Sequence, residues 1–185
     1  MLVLGLYGSL RADSHNRRLL AAAARSLPPT VKFEEWTRLE RIPPYSEDLD
    51  VATAPGAVDE LRTALARADA VLIATPEYNH SIPGQLKNAL DWASRPFPHN
   101  ALRAKPAAVI GASTSLFGAV WAQAEARKIL SAIGARVIDE ELAIPSAREA
   151  FEADGSLRDP KLRAGLADIL EQLLCAARAP LDQAA

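Results

Sequence analysis

Cysteine is nearly absent from this sequence of 185 residues, since Cys175 is its single representative. One cysteine forms no disulfide within the chain, and it shares no metal-ligand spacing with the three histidines. A chain of this length buries about 70% of the surface that it exposes when unfolded, so its apolar core can hold it together. We therefore expect one domain over residues 1–185, no metal site, and Cys175 as a small buried residue.

An excess of charge of either sign is also missing, because 21 Lys and Arg stand against 23 Asp and Glu. This balance disfavours the basic surface that binds nucleic acid. No apolar run approaches the roughly 18 residues of a membrane span. The first residues, MLVLGLYGS, contain no basic segment of the kind that begins a secretory leader. We expect a cytoplasmic protein that binds neither nucleic acid nor membrane.

Aromatic residues are few, with three Trp, three Tyr and four Phe in the whole chain. Ala, Leu and Val must therefore form most of the core. Half of the aromatic residues lie in less than a quarter of the chain, at Tyr78, Trp92, Phe97, Phe117 and Trp121. This concentration draws attention to the segment between positions 78 and 121.

Short apolar strands alternate with helical patterns along the chain. The strands are predicted at residues 2–7, 31–36, 70–75, 107–111 and 136–144. The helices are predicted at 16–27, 55–68, 86–93, 119–133 and from 160 onward, with a long loop at 38–53. This order predicts an α/β fold: a doubly wound, five-stranded parallel sheet with helices on both faces. Ligands of such sheets bind at the carboxyl ends of the strands, which here are followed by three polar loops.

The first of these loops, GSLRADSHN, leads from the first strand into a helix. Ser9, Ser14 and Asn16 offer short hydrogen-bonding side chains, and Arg11 offers a planar cation. The start of the helix adds free N–H groups and a positive dipole end, so the loop suits a phosphate. A capped helix with a solvated Arg11 is the simpler alternative.

The loop after the third strand, TPEYNHSIPG, contains two prolines and a glycine at residues 75–84. Such a backbone is restricted, so its N–H and C=O groups can face a ligand at little entropic cost. Tyr78 offers a flat apolar surface beside them. The alternative is a rigid turn in which Tyr78 packs on the core.

Two segments, GSLRADSHN and PEYNHSIPGQLKNALDW, resemble the NAD(P)H-dependent FMN reductases of flavodoxin-like fold, which include bacterial quinone and chromate reductases. The resemblance covers residues 2–134. It implies a flavodoxin-like FMN-binding domain with FMN as cofactor and NADPH or NADH as co-substrate. It also implies that the first loop holds the FMN phosphate and that the P-E-Y-N loop holds the flavin ring, while GASTSLFGA at residues 111–119 reaches the ring from its other side.

Carried onto this chain, the resemblance assigns cofactor contacts to Ser9, Arg11, Ser14, His15, Asn16, Pro76, Glu77, Tyr78, Asn79, His80 and Ser113. It assigns no catalytic side chain, because the flavin performs the chemistry. Three residues are candidates for the substrate slot, namely Tyr78, His80 and Phe117, although a core position for Phe117 is equally compatible with the sequence. Glu77 is expected to bond to backbone or to a neighbouring subunit rather than to act as a base.

The expected reaction is a ping-pong cycle in which NAD(P)H reduces the flavin and a small-molecule acceptor then oxidises it. Quinones, flavins, azo compounds and metal oxyanions such as chromate are the acceptor classes that the resemblance leaves open. It also implies a homodimer or homotetramer. We expect the interface on the apolar side of the helix that carries Trp92 and on residues 97–102.

Two alternatives remain at this level. A flavodoxin-like electron carrier would keep the fold and the FMN without using NAD(P)H. A serine hydrolase would use Ser113, which follows a strand and precedes a helix, with His15, His80 or His99 as its base. None of these histidines lies late in the chain, where an α/β-hydrolase places its base.

Overall fold

A parallel β-sheet organises the chain in the computed structural model, which describes residues 1–51 and 54–179. Its strands are β1 (Leu2–Tyr7), β2 (Lys32–Trp36), β3 (Ala70–Thr75), β4 (Pro106–Ala112), β5 (Arg136–Val137) and β6 (Ala143–Ile144). The order across the sheet is β2-β1-β3-β4-β5, and every pairing is parallel. This is the flavodoxin-like order, in which β2 is added on one side of β1 and the later strands on the other, so that the switch point lies between β1 and β3. The predicted fold class is confirmed.

The last strand differs from its prediction, because residues 136–144 form two short strands instead of one. β5 pairs with the beginning of β4, and β6 pairs with its end at Gly111 and Ala112. The chain between them carries the exposed acids Asp139, Glu140 and Glu141. Carboxylates are costly to bury, so this stretch leaves the sheet edge. The sheet therefore contains six strands, not five.

Helices cover both faces of the sheet. They are α1 (His15–Ser26), α2 (Gly56–Arg67), α3 (Gly84–Ala93), α4 (Val120–Ile133) and α5 (Pro160–Arg178). Buried residues of α1 and α5 share one apolar cluster, and those of α2, α3 and α4 share the other. Strand β3 is fully buried, with Ala70 and Leu72 in the first cluster and Val71 and Ile73 in the second. The continuous apolar run AVLIAT thus behaves as a central parallel strand.

The predicted loop at 38–53 contains two short 3-10 turns, Leu39–Arg41 and Glu47–Leu49, and its residues 52 and 53 lie outside the described part. Side chains of α3 hold this loop. The Trp92 indole donates to the Pro43 carbonyl at 2.8 Å, and Gln85 donates to two further carbonyls of the loop. Trp92 is fully buried, so the apolar side of α3 belongs to the core and the interface predicted there is wrong. Phe97, also in that prediction, is 74% exposed.

Helix α5 corrects a second expectation, because Cys175 is exposed. Leu173 and Leu174 occupy the inward positions of this turn instead. Asp159 caps the helix and Pro160 begins it, as predicted. No helix in the described ranges is long and apolar enough to span a membrane.

Asn16 joins the first helix to the fourth strand. Its side-chain amide donates to the Ala112 carbonyl at 2.9 Å and its Oδ1 accepts from the Ala112 N–H at 2.9 Å. Asn16 is 2% exposed, so both bonds lie away from water. The pair fixes the beginning of α1 beside the carboxyl end of β4.

Gly118 joins the segment after β4 to helix α4 at a point of very close packing. Its φ of 60° is left-handed, and a Cβ added there would lie 2.7 Å from the backbone of Ala143 and Ile144. Backbone atoms of a buried strand cannot move aside easily. Only glycine therefore fits between α4 and β6 at this position.

Asn16→Ala should destabilise the fold by about 2 to 4 kcal/mol, because it leaves the buried N–H and C=O of Ala112 without partners. Urea unfolding measures this free energy. Gln172→Ala, an exposed side chain on α5, is the control and should change it by less than about 0.5 kcal/mol. Equal unfolding midpoints for the two variants would show that the bridge contributes nothing.

Gly118→Ala should cost about 2 to 4 kcal/mol of stability, from the left-handed backbone and from the clash with β6. The matched control is Gly84→Ala, because a Cβ on that first residue of α3 meets no atom within 4 Å. The control should be neutral or slightly stabilising. Thermal and urea unfolding of both variants check the difference, and a Gly118 variant as stable as the control contradicts it.

Candidate functional site

Three loops meet in one cleft at the carboxyl edge of the sheet. The register explains this, since Tyr7 pairs with Ala74 and Thr75 pairs with Gly111, so β1, β3 and β4 end at the same level. The cleft is open to solvent and encloses about 110 Å³. It is lined by Ser9, Arg11, Ser14, His15, Asn16, Pro76, Glu77, Tyr78, Ala112, Ser113 and Thr114. Three predicted site residues lie outside this lining, namely Asn79, His80 and Phe117.

The first loop combines helix capping with an accessible cation. Ser14 is the N-cap of α1, and its Oγ accepts from the Arg17 N–H at 3.3 Å. Ser9 is buried, and its Oγ accepts from the Arg11 N–H at 3.4 Å. The Arg11 side chain is exposed and has no ion-pair partner in the described part of the chain. Capping by Ser14 thus leaves the cation and the free N–H groups of the helix start facing the cleft.

His15, the first residue of α1, carries an unsatisfied polar atom. Its Nδ1 is buried and has no hydrogen-bond partner among the described residues. Burial lowers the pKa of His15, Asp13 opposes this shift, and the charges of Arg11, Arg18 and Arg148 add to it. The ring is therefore neutral at physiological pH, with one buried nitrogen available for a ligand.

The P-E-Y-N loop is held by a tight turn. Tyr78 and Ser81 exchange two backbone hydrogen bonds, at 3.0 and 3.1 Å, across Asn79 and His80. Both central residues have positive φ, 54° and 62°, as a type I′ turn requires. This turn places Tyr78 at the surface, 48% exposed, so the alternative that Tyr78 packs on the core is wrong.

The Glu77 carboxylate is bonded to the next helix and is not free to act as a base. Its Oε2 accepts from the N–H groups of Trp121 and Ala122, at 3.0 and 3.1 Å, at the beginning of α4. Its Oε1 lies 3.7 Å from Nδ1 of His80. A carboxylate at a helix start is stabilised by the dipole, and this one also ties the loop to α4. The expectation of a backbone-bonded Glu77 is confirmed.

An exposed aromatic cluster lies beside the P-E-Y-N loop, which contributes His80 to it. The ring centroids of Phe117 and Trp121 are 5.0 Å apart, and His80 meets Trp121 edge-on at 4.7 Å. Phe117 is 58% exposed, so it is not a core residue. The role of Trp121 was missed from the sequence, although its spacing of four residues from Phe117 on the approach to a helix could have indicated the contact.

Neither hydrolysis nor metal chemistry fits these residues. The Ser113 hydroxyl bonds to the Ser115 hydroxyl at 3.1 Å and to the Ser115 N–H, and no histidine in the described ranges bonds to it. No group of three or more His, Cys, Asp or Glu in those ranges could hold a metal ion. Sequence reasoning also missed Ala112 and Thr114, which line the cleft on either side of Ser113.

FMN fits the cleft on chemical grounds. Its phosphate matches the start of α1, where Arg11, buried hydroxyls and the orphaned Nδ1 of His15 converge. Its flat ring matches the exposed Tyr78, which lines the same cleft. The lining contains a single carboxylate, Glu77, whose Oε2 is already bonded to α4, so repulsion of a phosphate is small.

Comparison with known proteins agrees with this chemistry. Residues 1–149 match the model of the family described as NADPH-dependent FMN reductase. An NAD(P)H-dependent FMN reductase of Pseudomonas aeruginosa is 44% identical over 162 residues, which cover 87% of this chain and 86% of that protein. A 2-hydroxy-1,4-benzoquinone reductase of a Burkholderia species is 37% identical over 151 residues, 81% of each chain.

A solved structure shows the same architecture. FerB, a flavoenzyme NAD(P)H:(acceptor) oxidoreductase from Paracoccus denitrificans, superposes with a TM-score of 0.85 at 37% identity and covers 95% of this chain and 96% of its own. The family match over most of the chain and the two relatives above 30% identity lead to one assignment. The chain belongs to the NADPH-dependent FMN reductase family, whose members are FMN-dependent oxidoreductases of flavodoxin-like fold.

Proposed function

We propose that residues 1–185 form one FMN-binding domain that takes a hydride from NAD(P)H and delivers two electrons to a quinone. The observation that carries this proposal is the cleft itself, which joins an anion-binding end to an open aromatic end. Bound FMN would supply the redox chemistry, because it accepts a hydride and then reduces a second substrate. The protein needs no nucleophile and no general base for that task.

The anion-binding end positions the cofactor. Arg11 supplies the charge, Ser9 and Ser14 supply hydroxyls, and the first N–H groups of α1 point in the same direction. His15 supplies a neutral ring nitrogen at the same place. We assign Asn16 a positioning role, because its amide is committed to Ala112.

The aromatic end positions the ring and admits substrates. The P-E-Y-N loop is rigid, because its turn and the bond from Glu77 to α4 keep it from folding over the cleft. Its residues are Pro76, Glu77, Tyr78, Asn79 and His80. Tyr78, His80 and Phe117 are each more than a third exposed, so an aromatic substrate can stack beside them. Ser113 lines the same cleft, and its hydroxyl can donate to the reduced flavin when it rotates away from the Ser115 hydroxyl.

Quinones are the acceptor class that we favour, because the named relatives include a benzoquinone reductase. Flavins, azo compounds and chromate are further acceptors of an accessible reduced flavin. A homodimer or homotetramer in the cytoplasm completes the proposal. Exposure of Phe97 and of the Phe117–Trp121 pair supports an oligomer, because large apolar side chains in contact with water favour association.

Arg11→Ala should weaken FMN binding roughly ten- to a hundredfold, because a charge-assisted bond to phosphate contributes about 1.5 to 3 kcal/mol. Flavin fluorescence quenching measures the dissociation constant of the apoprotein. Arg103→Ala is the control, since Arg103 is exposed beside Gly134 near the amino ends of the strands. An unchanged affinity in the Arg11 variant would show that the FMN phosphate does not bind at this loop.

Anaerobic addition of NADPH or NADH to the FMN-loaded protein should bleach the visible flavin absorbance, and benzoquinone should restore it. Steady-state rates at several fixed quinone concentrations should give parallel double-reciprocal lines, as a ping-pong cycle requires. A flavodoxin-like electron carrier gives the opposite result, because neither coenzyme bleaches it. Persistence of the absorbance with both coenzymes would therefore replace the reductase proposal with the carrier.

A further inference from the structure

A second cavity adjoins the cleft on the side of β6. It is an open depression of about 290 Å³, lined by Thr114, Ser146, Arg148 and Glu149. Thr114 also lines the cleft, so the two spaces share a wall. Its other three residues do not line the FMN cleft.

The segment that carries Arg148 is fixed against the loop after β4. The Ser146 N–H donates to the Ser115 carbonyl at 3.1 Å, and the Ala147 N–H donates to the Ser113 carbonyl at 3.0 Å. Ser146 has a φ of 46°, a left-handed conformation that is unfavourable for a serine. The two bonds hold the segment in that conformation, so the backbone of Arg148 has a defined position beside the cleft.

Arg148 is an exposed cation that makes neither an ion pair nor a side-chain hydrogen bond within the described ranges. Eight arginines of the described ranges form ion pairs, as Arg17 does with Glu35 and Arg62 with Asp50. Arg148 is also near enough to the first loop for its charge to act on His15. Asp13 acts on the same His15 and Glu149 lines the same cavity, and neither forms an ion pair with Arg148 within the described ranges.

The FMN phosphate does not account for this cation. A phosphate dianion is largely matched by Arg11 together with the positive end of α1, which amounts to about half a charge. Arg18, the third arginine near His15, lies over the Phe151 ring with 4.7 Å from its Cζ to the ring centroid. Arg148 is therefore available to bind a different anion, on the far side of Thr114 from the cleft.

We infer that Arg148, with the hydroxyls of Thr114 and Ser146, forms a second phosphate subsite that binds the 2′-phosphate of NADPH. This inference rests on the proposed function, in which a nicotinamide dinucleotide is the phosphate-bearing ligand that must enter the cleft besides FMN. NADH lacks the 2′-phosphate and gains nothing from the subsite. The chain should accordingly use NADPH in preference to NADH.

Arg148→Gln tests the subsite through the ratio of kcat/KM for NADPH to kcat/KM for NADH. The ratio should fall roughly ten- to a hundredfold, because a charge-assisted contact to one phosphate is lost. The change should appear as a higher KM for NADPH with unaltered kcat, since the contact is equally present in the ground and transition states. The constants for NADH and the affinity for FMN should stay the same.

Two further variants separate a binding role from a general effect. Arg148→Lys keeps the charge and should retain part of the preference. Arg178→Gln removes an exposed arginine from the end of α5 and should change nothing. The nearby Ala176 carbonyl accepts from Arg136 at the beginning of β5, so this end of α5 lies near the amino ends of the strands, away from the cleft. Adenosine 2′,5′-bisphosphate should compete with NADPH better than 5′-AMP does, and the Arg148→Gln variant should lose this difference.

Three results overturn the subsite: equal kcat/KM for the two coenzymes in the unaltered protein, an equal loss for both in Arg148→Gln, or weaker FMN binding in that variant. The last result would assign Arg148 to the FMN phosphate. These outcomes differ from a failure of the proposed function, in which neither coenzyme reduces the flavin in any variant.

Discussion

The reciprocal pair between Asn16 and the backbone of Ala112 is the constraint on which the site depends. It is buried, and it joins residues 96 positions apart in the chain. Through it, the N-terminus of α1 lies beside the carboxyl end of β4 instead of only beside β1. The cleft consequently has one wall from each loop, and a ligand that spans it touches residues from all three. Loss of the pair would leave the buried N–H and C=O of Ala112 unpaired and would release the start of α1 from the loop after β4.

The walls of the cleft have different sources of rigidity. The first loop is fixed by capping of α1. The P-E-Y-N loop is fixed by a type I′ turn and by the bond from Glu77 to the start of α4, and the loop after β4 is fixed by bonds to residues 144–147. Each source uses backbone groups, so side chains such as Arg11 and Tyr78 remain available to a ligand. This arrangement suits a flavoenzyme, because the cofactor carries the chemistry and the protein's task is to hold it in place.

Much of the fold could be predicted from local sequence. The run AVLIAT is a fully buried central strand, and Asp159 with Pro160 begins α5, because these signals act within a few residues. The predicted site loops do meet, since parallel strands of similar length end at one edge. The division of residues 136–144 and the exposure of Cys175 depended on what the rest of the chain offered as partners, which no local pattern contains. The partner of Asn16 and the approach of Arg148 to the cleft are tertiary facts of the same kind.

The central claim is that the start of α1 binds the phosphate of a flavin whose ring lies toward Tyr78. Dissociation constants of the apoprotein for FMN and for riboflavin, measured side by side under the same conditions, test this claim most directly. The two ligands share the ring and differ in the phosphate, so FMN should bind at least roughly a hundredfold more tightly through its charge-assisted bonds. Equal affinities would contradict the account, because the loop of Ser9, Arg11 and Ser14 would then contribute nothing to flavin binding.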